Sequence, residues 1–306
     1  YGIICPTKSD MEETSTAIME MSQAAGITQV TDKERNPLYT TTYGVGQMIV
    51  DAIHKGCRRF IMGIGGSATN DGGIGMLKAL GFEFFDEDGN DVGEGAAALA
   101  KIEVIRTENK NPLLSGAKFQ IACDVKNPLC GKQGATYIFG PQKGVTEEQK
   151  EQVDEAMRHY ADVTKESLDC DFADCEGAGA AGGLGYAFLS YLAGELIPGV
   201  ELILQATGLE EKMKNADVVV TGEGRLDAQT VMGKAPVGVA ALAKKYNAKV
   251  IAFAGSVAPE AKVCNRAGID AFFPIVRGVA TLEEAMKKEN AMENIAATAE
   301  QVFRLL

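Results

Sequence analysis

A turn rich in glycine and hydroxyl residues separates an apolar run from a helical pattern near residue 70 of this 306-residue chain. The apolar run 60–62 stops in glycine, and an apolar helical pattern begins near Ile74. Backbone N–H groups in such a turn point outward and can bind an anion. We therefore predict a phosphate or carboxylate site here, and the alternative is a tight connection that needs glycine for packing. The candidate binding residues are Gly65, Gly66, Ser67, Thr69 and Asn70, with Asp71 closing the turn.

This turn matches neither of two common nucleotide-binding motifs. Ala68 and Thr69 stand where the dinucleotide fingerprint expects another glycine, and no Gly-Lys-Ser/Thr follows as in a P-loop. A nucleotide-dependent dehydrogenase on a Rossmann-like sheet stays open as an alternative function, and the missing fingerprint counts against it.

A second group of chemically capable residues follows the apolar run 217–220, which predicts a parallel strand. The segment 222–235 is long for a connection that usually takes about two to six residues. It combines cations and carboxylates, which phosphoryl transfer needs for the moving charge and for a magnesium ion or a proton. The alternative is a solvated loop in which Arg225 pairs with Glu223 or Asp227. The candidate residues are Gly222, Glu223, Gly224, Arg225, Asp227, Gln229 and Lys234.

Three further features lie between these two groups. Asp124 follows a predicted strand, where a carboxylate can bind a metal or a substrate hydroxyl, unless it forms an ordinary Asx turn. Lys143 lies between glycine-rich turns and could meet a phosphate. The glycine–alanine stretch 177–185 is either a second anion-binding turn or a close helix-packing surface, and packing is slightly favoured.

Hydrophobic periodicity indicates the elements that must position these residues. From about residue 209 strands and helices alternate, which predicts a right-handed parallel sheet. Helices are expected at 44–55, 73–80, within 145–176, up to residue 192, and at 236–246, 259–267 and 281–305. Strands are expected at 59–62, 82–85, 118–123, 217–221, 249–254 and 270–276.

Composition limits the classes of protein and partner. The net charge of −12 argues against broad binding to nucleic acid or to anionic membranes, but not against a small anionic substrate. Seven cysteines without a Cys-x-x-Cys pair and only two histidines make a zinc site unexpected. The sequence shows no secretory signal or apolar run of membrane length. We therefore expect a cytoplasmic protein with reduced cysteines, and its oligomeric state stays open.

Five collinear motifs resemble the bacterial glycerate kinases of the GarK/GlxK type (type 1), and the resemblance covers essentially the whole chain. The motifs are 63–73 (GIGGSATNDGG), 122–129 (ACDVKNPL), 139–144 (FGPQKG), 177–183 (GAGAAGG) and 221–227 (TGEGRLD) with Gly233 and Lys234. The resemblance implies ATP- and Mg²⁺-dependent phosphorylation of D-glycerate, giving 2-phosphoglycerate and ADP. It also implies two α/β domains with the site between them, one inserted in the other.

We accordingly expect a glycine-rich mixed-sheet α/β domain in residues 1–208, inserted into a Rossmann-like domain of which residues 209–306 form the C-terminal part. Three strands are few for a Rossmann-like sheet, and Tyr1 opens in what looks like the middle of a strand. The N-terminal turns typical of the family have no match here. We therefore expect that an N-terminal segment is missing, which leaves a non-catalytic or inactive anion- or nucleotide-binding fragment as an alternative.

The expected mechanism is direct in-line transfer from ATP to a glycerate hydroxyl. Asp71 or Asp227 would orient or deprotonate that hydroxyl, and Asp124 or Glu223 would help to hold magnesium. The expected phosphate-stabilising cations are Arg225, Lys234 and Lys143. The turn residues Ser67, Thr69 and Asn70 would bind glycerate or phosphate.

Overall fold

Residues 1–4 and 15–306 are described by the computed structural model, and the chain divides into two units, Tyr1–Gly199 and Val200–Leu306. The sequence interpretation placed this boundary after residue 208. Each unit is an α/β structure with its own sheet and its own buried apolar cluster, and each is described by itself.

The first unit is built on a mixed sheet of five described strands in the order β1-β2-β3-β6-β7. The pair β1–β2 is antiparallel, whereas β2, β3, β6 and β7 run parallel. A separate antiparallel pair, β4–β5, completes the strands of this unit. The strands are β1 (Gly2–Ile4), β2 (Thr16–Glu20), β3 (Arg59–Gly63), β4 (Glu83–Phe85), β5 (Val104–Arg106), β6 (Lys118–Ala122) and β7 (Glu195–Ile197).

Alternation of apolar residues sets the register of the two central strands. Phe60 and Met62 of β3 and Phe119 and Ile121 of β6 are buried, as a period of two requires when one face meets the core. The rings of Phe60 and Phe119 stack with centroids 4.8 Å apart. This packing fixes the carboxyl ends of β3 and β6 side by side, which is where parallel sheets usually bind ligands.

Helices surround this sheet, and the longest of them shows why the sequence pattern predicted it. Val153, Met157 and Tyr160 of α6 recur at helical spacing and are buried, while the opposite face carries charged residues. The helices are α1 (Ser22–Ala25), α2 (Tyr43–His54), α3 (Ile74–Ala79), α4 (Ala96–Leu99), α5 (Ala135–Lys143), α6 (Lys150–Leu168) and α7 (Leu184–Leu192). The next helix, α8 (Gly199–Ala206), begins at the last residue of the first unit and belongs otherwise to the second.

The second unit contains a parallel sheet in the order β8-β9-β10. Both faces of the central strand are covered, since Val250 and Ala252 belong to one apolar cluster and Ile251 and Phe253 to another. The elements are α9 (Leu209–Met213), β8 (Val218–Leu226), α10 (Ala235–Lys244), β9 (Lys249–Val257), α11 (Val263–Arg266), β10 (Ala271–Pro274), α12 (Leu282–Met286) and α13 (Lys288–Phe303). The mixed sheet and the parallel sheet confirm the expected α/β class.

Strand β8 is longer than the sequence predicted. We expected it to end with the apolar run, but it continues to Leu226 and pairs with β9 as far as Val257. The sequence pattern fails here because small and polar residues alternate beyond Thr221. The connection to α10 therefore covers only 227–234 and includes a 3₁₀ turn at Ala228–Val231.

Two predicted helices are interrupted. The segment expected as 259–267 is a 3₁₀ turn at Pro259–Lys262 followed by α11, and the segment expected as 281–305 splits at Lys287 into α12 and α13. Thr281 and Glu284 form the expected capping box. Within residues 1–4 and 15–306, none of the helices combines the length and apolar character that a membrane span requires.

Candidate active site

A pocket of about 310 Å³ opens in the first unit at the carboxyl ends of β3 and β6. It lies where the glycine turn after β3 and the segment around Asp124 after β6 meet the end of α5. The lining residues are Ile27, Ile64, Gly65, Gly66, Ser67, Ala122, Cys123, Asp124, Val125, Phe139, Gln142, Lys143, Ala180 and Ala181. The structure thus brings together three of the sequence-predicted segments.

The glycine turn presents its backbone to this pocket. Gly65 and Gly66 are exposed there, and Gly66 has a positive φ of 69° that favours glycine. The segment 25–27, between α1 and a 3₁₀ turn, pairs with the glycine turn through Ile27 N–H to the Gly66 carbonyl and Ala68 N–H to the Ala25 carbonyl. The N–H groups of Gly65, Gly66 and Ser67 donate to no other described residue. This arrangement suits an anion at the mouth of the pocket.

Asp71, one of the two residues expected to orient or deprotonate the acceptor hydroxyl, is not among the residues that line the pocket. Its side chain is fully buried and accepts hydrogen bonds from Thr42 N–H and Oγ1, both at 2.8 Å, and from the N–H groups of Gly73 (3.1 Å) and Gly75 (3.3 Å). Burial raises the pKa of the Asp71 carboxyl, and these hydrogen bonds offset part of the effect. Asp71 therefore holds the turn against α2 and α3.

Lys143 is the cation of the pocket wall. It is the last residue of α5 and only 1% exposed, and Nζ donates to the Thr69 carbonyl at 2.7 Å. The sequence placed it between turns, whereas it ends a helix, where the carbonyl dipoles favour a positive charge. Burial lowers the pKa of Lys143 to about 7, although nearby Asp71 acts in the opposite direction.

Two polar atoms in the same turn have no hydrogen-bond partner among the described residues. These are Oγ1 of Thr69 and Oδ1 of Asn70, and both residues are buried. The Asn70 amide donates to Thr136 Oγ1 at 3.0 Å. Since buried polar groups are almost always hydrogen-bonded, the turn has capacity for a polar ligand or a water molecule.

Asp124 is the carboxylate that lines the pocket. Its Oδ1 accepts a hydrogen bond from Gly199 N–H at 2.9 Å, at the start of α8. The residue is exposed, and Oδ2 has no hydrogen-bond donor among the described residues. Asp124 can therefore accept a hydrogen bond from a hydroxyl group in the pocket.

The glycine–alanine stretch 177–185 packs closely against the glycine turn, which is the alternative that the sequence slightly favoured. Gly182 accepts a hydrogen bond through its carbonyl from Gly72 N–H at 2.9 Å. Its φ is +70°, and a Cβ there would overlap the Thr69 carbonyl oxygen and lie 2.6 Å from Asn70 Cα. Ala180 and Ala181 also line the pocket, so this stretch supports the turn and forms part of the wall.

We expect Gly182→Ala to destabilise the first unit by at least about 2 kcal/mol more than Gly89→Ala. Gly89 has a similar φ of +79° but open space around its Cβ position, so it isolates the backbone strain from the clash. Chemical denaturation of both variants measures the difference. Equal losses would contradict the close contact between the two segments.

A charged cluster in the second unit contains the other predicted residues. Glu223 and Arg225 share one face of β8, because side chains two residues apart in a strand point the same way. Lys234 Nζ lies 3.8 Å from Glu223 Oε2 and 3.7 Å from Asp227 Oδ1, and Arg225 Nε lies 3.8 Å from Asp227 Oδ2. These ion pairs are longer than hydrogen bonds, so the cations can turn to another anion at little cost.

Thr230 positions two acids of this cluster and was missed by the sequence analysis. It is fully buried, donates from Oγ1 to Glu223 Oε1 at 2.6 Å, and accepts from Asp227 N–H at 3.1 Å. The signal was the spacing of Asp227 and Thr230, which form a capping box on the 3₁₀ turn. Gln229 is exposed, and its backbone N–H donates to Asp227 Oδ1 at 2.9 Å.

Gly222 and Gly224 lie in strand β8 rather than in the anion-binding loop that the sequence predicted. A Cβ on Gly222 would overlap the carbonyl oxygen of Phe253, and a Cβ on Gly255 would lie 2.7 Å from the carbonyl oxygen of Gly224. The glycines at 222 and 255 thus allow β8 and β9 to approach closely.

The described residues contain no group of three or more histidine, cysteine or acidic side chains arranged for a metal. Mg²⁺ does not require such a cage, because it usually keeps several waters and takes one or two carboxylates together with substrate phosphates. Glu223 and Asp227 are two carboxylates that could supply such ligands, since both lie within 3.8 Å of the same Lys234 ammonium. Asp124, the other predicted metal ligand, belongs to the first unit and lines its pocket.

Other residues of the site gave little signal in the sequence. Thr42 bonds Asp71 from a distant polar run, and its Oγ1 also accepts from Met76 N–H at 2.9 Å. Ile27 and Gln142 also line the pocket, but neither belongs to a sequence pattern that indicates a binding site. Their proximity to the turn results from the order of the strands.

Comparisons with known proteins give one consistent family. A sequence profile described as "Glycerate kinase family" matches residues 5–306. The chain is 46% identical over 288 residues to a glycerate kinase of Halalkalibacterium halodurans, covering 92% of this chain and 76% of that protein. It is 44% identical over 288 residues to the glycerate 2-kinase of Escherichia coli, with the same coverage. A crystal structure of a protein assigned as glycerate kinase 2 in Salmonella typhimurium superposes with a TM-score of 0.82 at 41% identity, covering 95% of this chain and 79% of that one.

Proposed function

This chain belongs to the glycerate kinase family and phosphorylates glycerate with ATP, and from that premise we propose that the product is 2-phosphoglycerate and that Mg²⁺ assists the transfer. The observation that carries the residue assignments is the pocket at the ends of β3 and β6, where a buried lysine and a carboxylate line a space of about 310 Å³. This volume is at the lower limit of ordinary ligand sites, which supports a small substrate there.

We assign glycerate binding to the first unit. Ser67 and the amides of Gly65 and Gly66 would bind at the mouth of the pocket, and Thr69, Asn70 and Lys143 would bind deeper. Asp124 is the carboxylate available in the pocket to orient the acceptor hydroxyl, and it takes the place proposed from sequence for Asp71. Apolar lining residues such as Phe139 limit water around the acceptor.

We assign phosphate binding to the charged cluster of the second unit. Arg225 and Lys234 would stabilise charge on the transferred group, since their present partners lie at 3.7–3.8 Å. Glu223 and Asp227 would hold the magnesium ion, with Thr230 fixing the orientation of Glu223. When bound, the ion neutralises charge on the phosphate oxygens of the nucleotide.

The proposed transfer is a single in-line displacement without a phosphoenzyme. The 2-hydroxyl oxygen forms a bond to the γ-phosphorus while the bond from that phosphorus to the β–γ bridging oxygen breaks. The bridging oxygen leaves with ADP, and the hydroxyl proton passes to a carboxylate or to solvent. Positioning and charge neutralisation supply most of the rate in such reactions.

A coupled assay of ADP release with D-glycerate, ATP and Mg²⁺ tests the proposal, with L-glycerate as the control acceptor. Phosphorus NMR of the product distinguishes 2-phosphoglycerate from 3-phosphoglycerate. Glycerate binding without ADP release would instead support a non-catalytic anion-binding protein.

We expect Glu223→Gln to raise the Mg²⁺ concentration for half-maximal activity by about 10- to 100-fold. The amide keeps an oxygen that can accept from Thr230, so folding should be unchanged, while the negative charge that attracts the ion is lost. Titration of activity against free Mg²⁺ measures the shift, and Glu260→Gln on the surface of the same unit is the control. The assignment would be wrong if both variants had the Mg²⁺ dependence of the unaltered chain.

A further inference from the structure

We propose that the closed end of the pocket is a carboxylate site formed by Lys143, so that the first unit selects 2-hydroxycarboxylate monoanions and takes up a proton with them. This inference rests on the proposed function, because it identifies which end of the glycerate molecule enters first. It goes further in linking substrate binding to the protonation of one buried side chain.

The hydrogen bonding of Lys143 leaves room for a ligand. An ammonium group has three donors, and the Thr69 carbonyl is the one described acceptor for Nζ. The side chain is 1% exposed and yet lines the pocket, so its remaining donors are not satisfied by bulk water. A carboxylate oxygen is the acceptor that would satisfy them and balance the charge.

The charged groups around Lys143 explain why its protonation is sensitive to a ligand. The glycine turn contributes Asp71, whose oxygens are already engaged by their own donors. The segment after β6 contributes Asp124 and the thiol of Cys123 to the same pocket. Burial lowers the pKa of Lys143 to about 7, so the empty pocket holds a partly neutral amine near neutral pH. A bound anion favours the charged form.

Depth and charge both favour the carboxylate over the phosphoryl group at Lys143. Gly65 and Gly66 are exposed, whereas Lys143 is buried, so the glycine turn forms the mouth and Lys143 the interior. The 2-hydroxyl must remain accessible to the phosphoryl donor, which allows the neighbouring carboxylate, but not the hydroxyl, to point into the interior. Lys143 is also the one cation among the described lining residues, and a single positive charge matches a monoanion better than a phosphate dianion.

The Thr69 hydroxyl, which has no partner among the described residues, fits the same orientation. Lys143 binds the carbonyl of Thr69, so this hydroxyl belongs to the same turn that the lysine contacts and can donate to a bound carboxylate. The 2-hydroxyl on the next carbon then lies towards the mouth, in the same pocket as the free carboxylate oxygen of Asp124. We therefore expect simple carboxylates without this hydroxyl to bind more weakly than glycerate.

Isothermal titration calorimetry on the full chain, without nucleotide, tests the inference. The ligands are D-glycerate and its uncharged analogue D-glyceramide, titrated in buffers of different ionisation enthalpy so that proton uptake is measured directly. For the unaltered chain we expect uptake of about one proton per glycerate near pH 8.5 and almost none near pH 5.5. Affinity for glycerate should fall about tenfold per pH unit above about pH 7, and glyceramide should bind at least about 100-fold more weakly near pH 5.5.

Lys143→Met should remove both the proton uptake and the preference for glycerate over glyceramide. Lys126→Met is the matched control, because Lys126 is next to the lining residue Val125 but is 79% exposed and pairs with Glu176 at 3.0 Å. The Lys143→Met variant should be at least as stable as the unaltered chain, because burying the charged lysine costs folding free energy. That cost is fully present below about pH 7 and is relieved as the pH rises towards 10.5, the ordinary pKa of a lysine. A melting curve checks this.

Absence of proton uptake by the unaltered chain near pH 8.5 would overturn the inference without any variant, and so would glycerate selectivity that survives in Lys143→Met. The ADP-release assay is scored separately. Glycerate binding with proton uptake but without ADP release would contradict the proposed function alone. ADP release without proton uptake on glycerate binding would contradict the inference alone.

Discussion

Replacing Arg225 by alanine is expected to lower kcat for glycerate phosphorylation by about 100- to 1,000-fold while changing the free energy of unfolding by less than about 0.5 kcal/mol. The guanidinium is 68% exposed and its contact with Asp227 is 3.8 Å long, so it contributes little to the folded state. In the proposed reaction it contacts charge that develops on the transferred group, and an interaction made in the transition state appears in kcat.

Arg304→Ala provides the matched control for this experiment. Arg304 lies in the same unit, is also 68% exposed and pairs with Glu300 at 2.8 Å, but it stands at the end of α13. Steady-state kinetics and thermal melting of both variants separate catalysis from stability. Normal turnover in Arg225→Ala would remove Arg225 from the site, and equal loss in both variants would indicate a general effect of surface charge.

Asp71→Ala is expected to destabilise the first unit by about 3 kcal/mol or more, because it leaves four buried donors without an acceptor. For a unit of this size the melting temperature should fall by roughly 6–12 °C. Asp71→Asn keeps one acceptor oxygen and should lose less. Differential scanning calorimetry measures both effects, and Asp171→Ala, which removes an exposed carboxylate paired with Lys165, should have almost none.

Kinetics of Asp71→Asn distinguish this structural role from catalysis. At a temperature where the variant is folded, we expect kcat to remain within about tenfold of the unaltered chain, because the carboxylate is buried away from substrate. A loss of about 1,000-fold or more in a fully folded Asp71→Asn would restore Asp71 as the base.

Local sequence was sufficient to find the segments that build the pocket. The turn after β3 was recognised because glycine and hydroxyl residues follow an apolar run. Asp124 was recognised because it comes directly after a predicted strand. Their proximity followed from a general property of parallel sheets, in which the carboxyl ends of adjacent strands share one edge. Such features depend on a few neighbouring residues and on backbone geometry, which a sequence pattern contains.

Local sequence was incomplete where a residue's surroundings depend on a distant partner. Asp71 was predicted to be a base because it closes the turn, and the local pattern contained no sign that Thr42 binds it from another element. Strand β8 appeared to end at residue 221 because its later residues are small or polar, and pairing with β9 extends it to Leu226. Contacts between residues remote in sequence decide both outcomes, and no local period encodes them.

The amino-acid sequence by itself determined the α/β class, the order of the motifs and, through its resemblance, the family. Only the tertiary structure decided which polar groups are accessible. Lys143 and Asp71 are both charged residues beside glycines in the sequence. Lys143 lines a pocket and has N–H donors without a described acceptor, whereas the carboxylate of Asp71 already accepts hydrogen bonds from its buried neighbours. Packing assigns that difference, because the free energy of a charged group depends on the atoms around it rather than on its neighbours along the chain.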